Sequence, residues 1–192
     1  MPIFNAPNKT PVSRDKFIAP YGKSGSPDPM QAPAAAPQKY ISLIICVAVL
    51  LGIGALSAWL GNSGPSPWYD ALIKSPLNPP PPVFGIVWTI IYALMGISLW
   101  LLFQSPATLQ RSRAVTAFAL QLAVNFAWTW VFFDRHWLGL AVLHVLVLQV
   151  CLVAFFVLAR RVSPWAAWIT VPYLLWTVFA LYLSFEAWRL NA

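Results

Sequence analysis

Residues 83–103 read VFGIVWTIIYALMGISLWLLF, and none of these positions carries a formal charge. At 1.5 Å rise per residue, a helix of this length reaches across the roughly 30 Å hydrocarbon core of a bilayer. The apolar residues do not alternate with polar ones, which argues against a strand of a membrane barrel. Four further stretches share this character, at about 41–60, 114–133, 137–159 and 165–187. One such stretch could be a buried helix of a soluble protein, but five in 192 residues could not all be covered by protein. Hydrophobic residues make up 59% of the chain and charged residues 9%. Soluble domains average roughly 45–50% apolar and 25% charged residues. The expected fold is therefore an all-α integral membrane protein with five transmembrane helices.

The segments outside the spans differ in kind. Residues 1–40 hold eight prolines and five Lys/Arg with no hydrophobic periodicity, and read as a disordered Pro-rich arm ahead of a transmembrane domain at 41–192. The apolar core of a signal peptide would lie much nearer Met1. The connection 61–82 holds Trp68 and Tyr69 and ends in PLNPPPP (76–82). Proline fixes φ and favours a stiff extended path, so this loop suits a lid over a site. It equally suits an aromatic anchor at the headgroup level. Pro172 falls inside the last segment and is expected to bend it or free a carbonyl.

The net charge of +7 is not a nucleic-acid signature, because the basic residues are scattered without a basic helix face. It bears on topology instead. The side holding the N-terminus collects nine Lys/Arg and the opposite side three; near the membrane the ratio is five to three. Cytoplasmic loops carry the excess, so the N-terminus is expected in the cytoplasm. Only five acidic residues occur, and no Ser/His/Asp, Cys/His or Gly-rich nucleotide pattern is present, so enzymatic chemistry has little direct support. Cys46 and Cys151 lie apart in apolar runs and read as small buried hydrophobes. His144 has no Cys, Asp or second His at metal spacing; helix packing is the better reading, although an axial bond to haem iron is chemically open to it.

Polar groups in hydrocarbon need partners and mark candidate sites. Gln121 and Asn125 are four apart on the third segment, with Trp128 and Phe132 continuing the stripe. This stripe reads as helix–helix glue, as a ligand pocket, or both. Trp88 and Tyr92 share a face of the second segment, and Trp176 and Ala180 share one of the fifth. If these faces meet, they enclose a flat apolar cavity with a polar rim, suited to a large planar ligand. Trp59, Trp100, Trp137, Trp165 and Trp188 lie near segment ends and read as interfacial anchors.

Four blocks resemble the tryptophan-rich sensory protein family, also called the translocator protein or peripheral-type benzodiazepine receptor family. They are WYDALIK (68–74) with NPP (78–80), VFGIVWTIIY (83–92), QLAVNFAW (121–128) with Phe132-Phe133, and VPYLLW (171–176) with FEAWRLN (185–191). The resemblance implies five helices, a homodimer in many members, and binding of porphyrins or haem or another apolar small molecule, with no required cofactor and no metal. It places the ligand among Trp88, Tyr92, Asn125, Trp128, Phe132, Trp176 and Ala180, with Pro79 and Pro80 shaping the loop above. It implies a sensory or regulatory role; porphyrin transport and light-dependent porphyrin breakdown are the alternatives. The chain departs from the family pattern at Leu77 and Pro82, which stand where tryptophans usually flank the proline pair. At Trp130 it replaces a frequent proline, which is expected to straighten the third helix. At His144 it replaces a frequent Asp.

Overall fold

The computed structural model describes residues 36–192, which fall within one compact unit. Seven α-helices follow in order: α1 (Ala36–Leu60), α2 (Pro67–Ala71), α3 (Pro81–Phe103), α4 (Leu109–Thr129), α5 (Leu138–Arg160), α6 (Pro164–Trp168) and α7 (Val171–Asn191). A π-helical turn, Trp130–Asp134, continues α4. Among the described residues, five helical stretches are long and apolar enough to cross a membrane: α1, α3, α4 with its π turn, α5, and α6 with α7. The protein is an all-helical, multi-pass membrane protein.

Helix ends follow local chemistry. Ser66, Thr108 and Ser163 cap α2, α4 and α6 by accepting the backbone N–H three residues on. Prolines occupy the first turns of α2, α3, α6 and α7, where a missing N–H costs nothing. Pro172 is one of these. The last segment is therefore broken at Ile169–Thr170 into two helices, and not bent at mid-helix as the sequence suggested. Helix α1 starts at Ala36 and takes in 36–40, which the sequence reading gave to the arm; 1–35 lie outside the described residues. Likewise α3 starts at Pro81, so Pro81 and Pro82 belong to a helix rather than to the loop 61–82.

Helix α1 packs chiefly on α3, α4 on α5, and α5 on α7 and α6, while α3 also meets α4 and α6. Hydrocarbon offers little apolar driving force between helices, so close backbone approach and hydrogen bonds must hold them. Gly96 supplies the approach: a Cβ there would lie 2.6 Å from the Val47 Cα. Gly54 lies against the Tyr92 ring and Gly61 against Thr129. Ser57 of α1 donates to the Phe126 carbonyl of α4 at 2.9 Å and lies 2.8 Å from the Thr129 hydroxyl. Ser98 of α3 donates to the Ala166 carbonyl at 2.6 Å. The His144 Nε2–H donates to the Val124 carbonyl at 2.7 Å, tying α5 to α4.

Leu50, Ile91, Met95, Phe118, Leu152, Phe155 and Tyr173 form the buried core. Ile44, Ile86, Leu120, Leu143, Val150 and Leu175 face outward, as a lipid-solvated surface requires. Cys46 and Cys151 are free and half-buried, less enclosed than the sequence reading had them. Of the five tryptophans read as anchors, Trp59, Trp137, Trp165 and Trp188 are exposed; Trp100 is half-buried and its indole N–H donates to Ser42 Oγ at 3.1 Å.

Candidate functional site

Asn125 of α4 sits 4% exposed and joins two tyrosines from different helices. Tyr92 of α3 donates to its Oδ1 at 2.6 Å, and its Nδ2–H donates to the Tyr173 hydroxyl of α7 at 2.7 Å. Below this triad on α7, Thr177 donates to Gln149 Oε1 of α5 at 2.6 Å. These five side chains, from four helices, thus satisfy one another, as an apolar solvent demands. Gln121, one turn before Asn125, is 1% exposed and its Oε1 has no partner.

Aromatic rings surround the triad. Trp88 lies 6.0 Å from both Tyr92 and Tyr173, meeting the latter edge to face. Phe84 meets Trp176 at 5.9 Å, and Trp176 in turn meets Phe179 at 5.6 Å. Between α3 and α7 runs an apolar groove of about 430 Å³, lined by Val87, Ile90, Ile91, Pro172, Leu175, Trp176 and Phe179. The indole N–H groups of Trp128 and Trp176 are buried without a hydrogen-bond partner.

A second aromatic group adjoins the first. Where α4 runs into the π turn, Trp128 stacks on Phe132 at 5.1 Å and meets Phe133 edge-on at 5.7 Å. In a regular α-helix residues five apart diverge by about 140°. The wider turn is what lets one indole touch both rings. At Trp130, where the sequence carries no proline, the chain stays helical and widens into the π turn. The loop packs onto this group through Trp68, 5.8 Å from Phe132 and stacked on His136 at 3.8 Å. Tyr69 meets Phe133 at 5.6 Å, and Lys74 Nζ lies 4.6 Å over the Tyr69 ring. Burial, together with the neighbouring Asp70 charge, pushes the Tyr69 phenol above its usual range, partly offset by a hydrogen bond from Asn78.

The loop's other half is fastened to α7. The Asn191 side chain accepts from the Ile73 N–H and donates to the Ile73 carbonyl, both at 2.9 Å. Ser75 and Tyr182 share a hydroxyl contact at 2.9 Å. The loop thus lies across the ends of α4 and α7.

The sequence-predicted residues fall into two adjoining sets. Trp88, Tyr92, Asn125 and Trp176 gather around the triad and groove. Trp128 and Phe132 sit under the loop with Trp68. Ala180 is half-buried one turn beyond Trp176. Pro79 is half-buried, and its carbonyl accepts from Asn78 at 3.1 Å; Pro80 is exposed at the start of α3. Tyr173 was missed, although a phenol in a charge-free stretch three residues before Trp176 is the signal that could have found it.

The sequence profile of one family matches residues 44–189, a span that contains every residue of both aromatic sets. The chain belongs to the TspO/MBR family. Among its TspO/MBR relatives, the tryptophan-rich sensory protein of Cereibacter sphaeroides is 38% identical over 127 residues, covering 66% of this chain and 78% of that protein. The tryptophan-rich protein TspO of Chlorobaculum tepidum is 30% identical over 155 residues, covering 80% of this chain and 98% of that protein. The translocator protein of Homo sapiens is 35% identical over 127 residues, covering 65% and 75%. The membrane role of the TspO/MBR family is thus this chain's role.

Proposed function

We propose that this TspO/MBR protein binds a tetrapyrrole, such as protoporphyrin IX or haem, at the aromatic site between α3, α4 and α7, and acts as a membrane sensor of it. The observation that carries the reading is a buried, unpartnered indole donor, Trp176, in the wall of an apolar groove of about 430 Å³. A flat macrocycle with acidic side groups supplies both a stacking surface and acceptors. Small-molecule sites of roughly 300–1,000 Å³ lined by aromatics with a few polar groups are the usual kind. His144 does not line the groove, so the site supports holding the macrocycle by its faces and edges rather than by iron. The sensory name of the Cereibacter sphaeroides relative supports sensing, and the translocator name of the human relative supports transport as the second reading. The Lys/Arg excess near the membrane on the side of α1's start supports a cytoplasmic N-terminus.

Titration of purified protein with protoporphyrin IX, read by tryptophan quenching, tests the reading. Saturable quenching is expected, and its absence sinks it. Trp176→Phe keeps a ring but loses the indole donor. One hydrogen bond is worth about 0.5–1.5 kcal/mol, so Kd is expected to rise roughly 2- to 12-fold.

A further inference from the structure

Charge is divided unequally between the two ends of the bundle. The alternating helix directions bring the start of α1, the α3–α4 connection and the α5–α6 connection to one end. That end carries Lys39, Arg111, Arg113, Arg160 and Arg161 and, among the described residues, no carboxylate. The opposite end carries Asp70, Asp134 and Glu186 together with Lys74, Arg135 and Arg189. There the charges are neutralised locally, with Arg135 3.4 Å from Asp134 and Arg189 2.8 Å from Glu186.

Four of the five cations stand at the adjoining ends of two packed helices, α4 and α5. Arg111 and Arg113 lie at the start of α4, and Arg160 and Arg161 at the end of α5. These two helices are packed antiparallel there: Ala114 and Ala159 are wholly buried in the same core, and Phe118 meets Phe155 at 5.4 Å. Arg113, Arg160 and Arg161 are exposed. Arg111 spends one Nη1–H on the Ser105 carbonyl at 2.8 Å, which leaves it further donors. Gathering like charges without a counter-ion is unfavourable, and the guanidinium fork is matched to phosphate oxygens. Residues 1–35 carry four Lys/Arg against two Asp, a net positive charge.

The place of this corner selects the anion. It stands at the end of membrane-crossing helices, hence at headgroup level, and exposed Leu109, Val153 and Val157 lie beside it or below it on the same two helices. A ligand with a phosphate and hydrocarbon chains satisfies both surfaces, whereas a free phosphate satisfies only the first. We infer that the corner formed by Arg111, Arg113, Arg160 and Arg161 binds the phosphate of an anionic phospholipid.

The test uses the full chain in phosphatidylcholine nanodiscs carrying a minor fraction of phosphatidylglycerol, with retained lipid counted by native mass spectrometry. Phosphatidylglycerol is expected to be enriched over phosphatidylcholine. Each of Arg113→Gln and Arg160→Gln is expected to reduce that enrichment about fivefold, and high salt to weaken it. Arg135→Gln and Arg189→Gln at the opposite end are expected to leave it unchanged. Equal enrichment in all four variants overturns the inference, as does competition by millimolar inorganic phosphate, which would assign the corner to a free anion. Circular dichroism of each variant confirms that the helices are intact; for a variant that does not fold, Arg113→Lys and Arg160→Lys take its place. These keep the charge but lose the fork, and are expected to lower the enrichment by roughly half; enrichment equal to wild type overturns the inference.

Discussion

Asn125 is the joint of three helices, and replacing it by leucine isolates what that joint contributes. Asn125→Leu keeps the number and branching of the side-chain heavy atoms while removing the 2.6 Å bond from Tyr92 and the 2.7 Å bond to Tyr173. Interhelical hydrogen bonds in membrane bundles average about 0.6 kcal/mol and reach about 1.7. Two of them set the expected loss at about 1–3 kcal/mol. The low figure applies if the freed hydroxyls find new partners, the high one if both stay buried and unpaired. Reversible unfolding in mixed micelles, followed by circular dichroism, gives the free energy directly. Tyr92→Phe alone is expected to cost about 0.6–1.7 kcal/mol by the same reasoning. In the Asn125→Leu background it is expected to cost close to nothing, since its partner is already gone. Asn125→Leu within 0.5 kcal/mol of wild type, or a Tyr92→Phe cost that is the same in both backgrounds, refutes the argument.

Other perturbations probe other parts of the molecule. Gly96→Ala places a Cβ 2.6 Å from backbone that cannot yield, whereas Gly52→Ala meets nothing within 4 Å. The first is expected to lower the thermal midpoint by several degrees and the second to leave it unchanged or raise it slightly. Asn191→Ala removes both bonds to Ile73. Amide hydrogen exchange at residues 72–75 is expected to accelerate roughly tenfold per 1.4 kcal/mol lost, with the α5 core unaffected. The Tyr69 phenol is held above its ordinary value of 10.0 by burial, so the fold favours its neutral form. Its contribution to loop packing is complete below that value and is lost as the pH rises through the raised one. A Tyr69→Phe protein is expected to lose less of its thermal midpoint than wild type in alkaline solution, and parallel pH profiles would count against this.

The five spans were legible because long charge-free stretches such as 83–103 leave only one structure that satisfies the backbone in hydrocarbon. The pairing of Trp88 with Tyr92 was legible because helical spacing puts them on one face, whereas the stripe from Asn125 to Trp128 and Phe132 divides between the two aromatic sets. What escaped had no local signature. The bond between Asn191 and Ile73 spans 118 positions, which no spacing rule covers. The break at Ile169–Thr170 was legible in principle, since Thr170 followed two residues later by Pro172 is a helix-start pattern. Reading the prolines as a bend inside one span obscured it. The π turn was illegible because it is a change of hydrogen-bond partner that leaves residue types untouched.

That turn holds one residue more than an α-helical turn would, so α4 stores slack. Each residue in a helix advances the chain by 1.5 Å and rotates it by about 100°. Deleting one position within Trp130–Asp134 could therefore be absorbed by tightening the turn to α geometry, whereas the same deletion in the middle of α3 or α5 would rotate every later side chain off its neighbours. The end of α4 is the place where this membrane bundle could change its length without changing the arrangement of the rest.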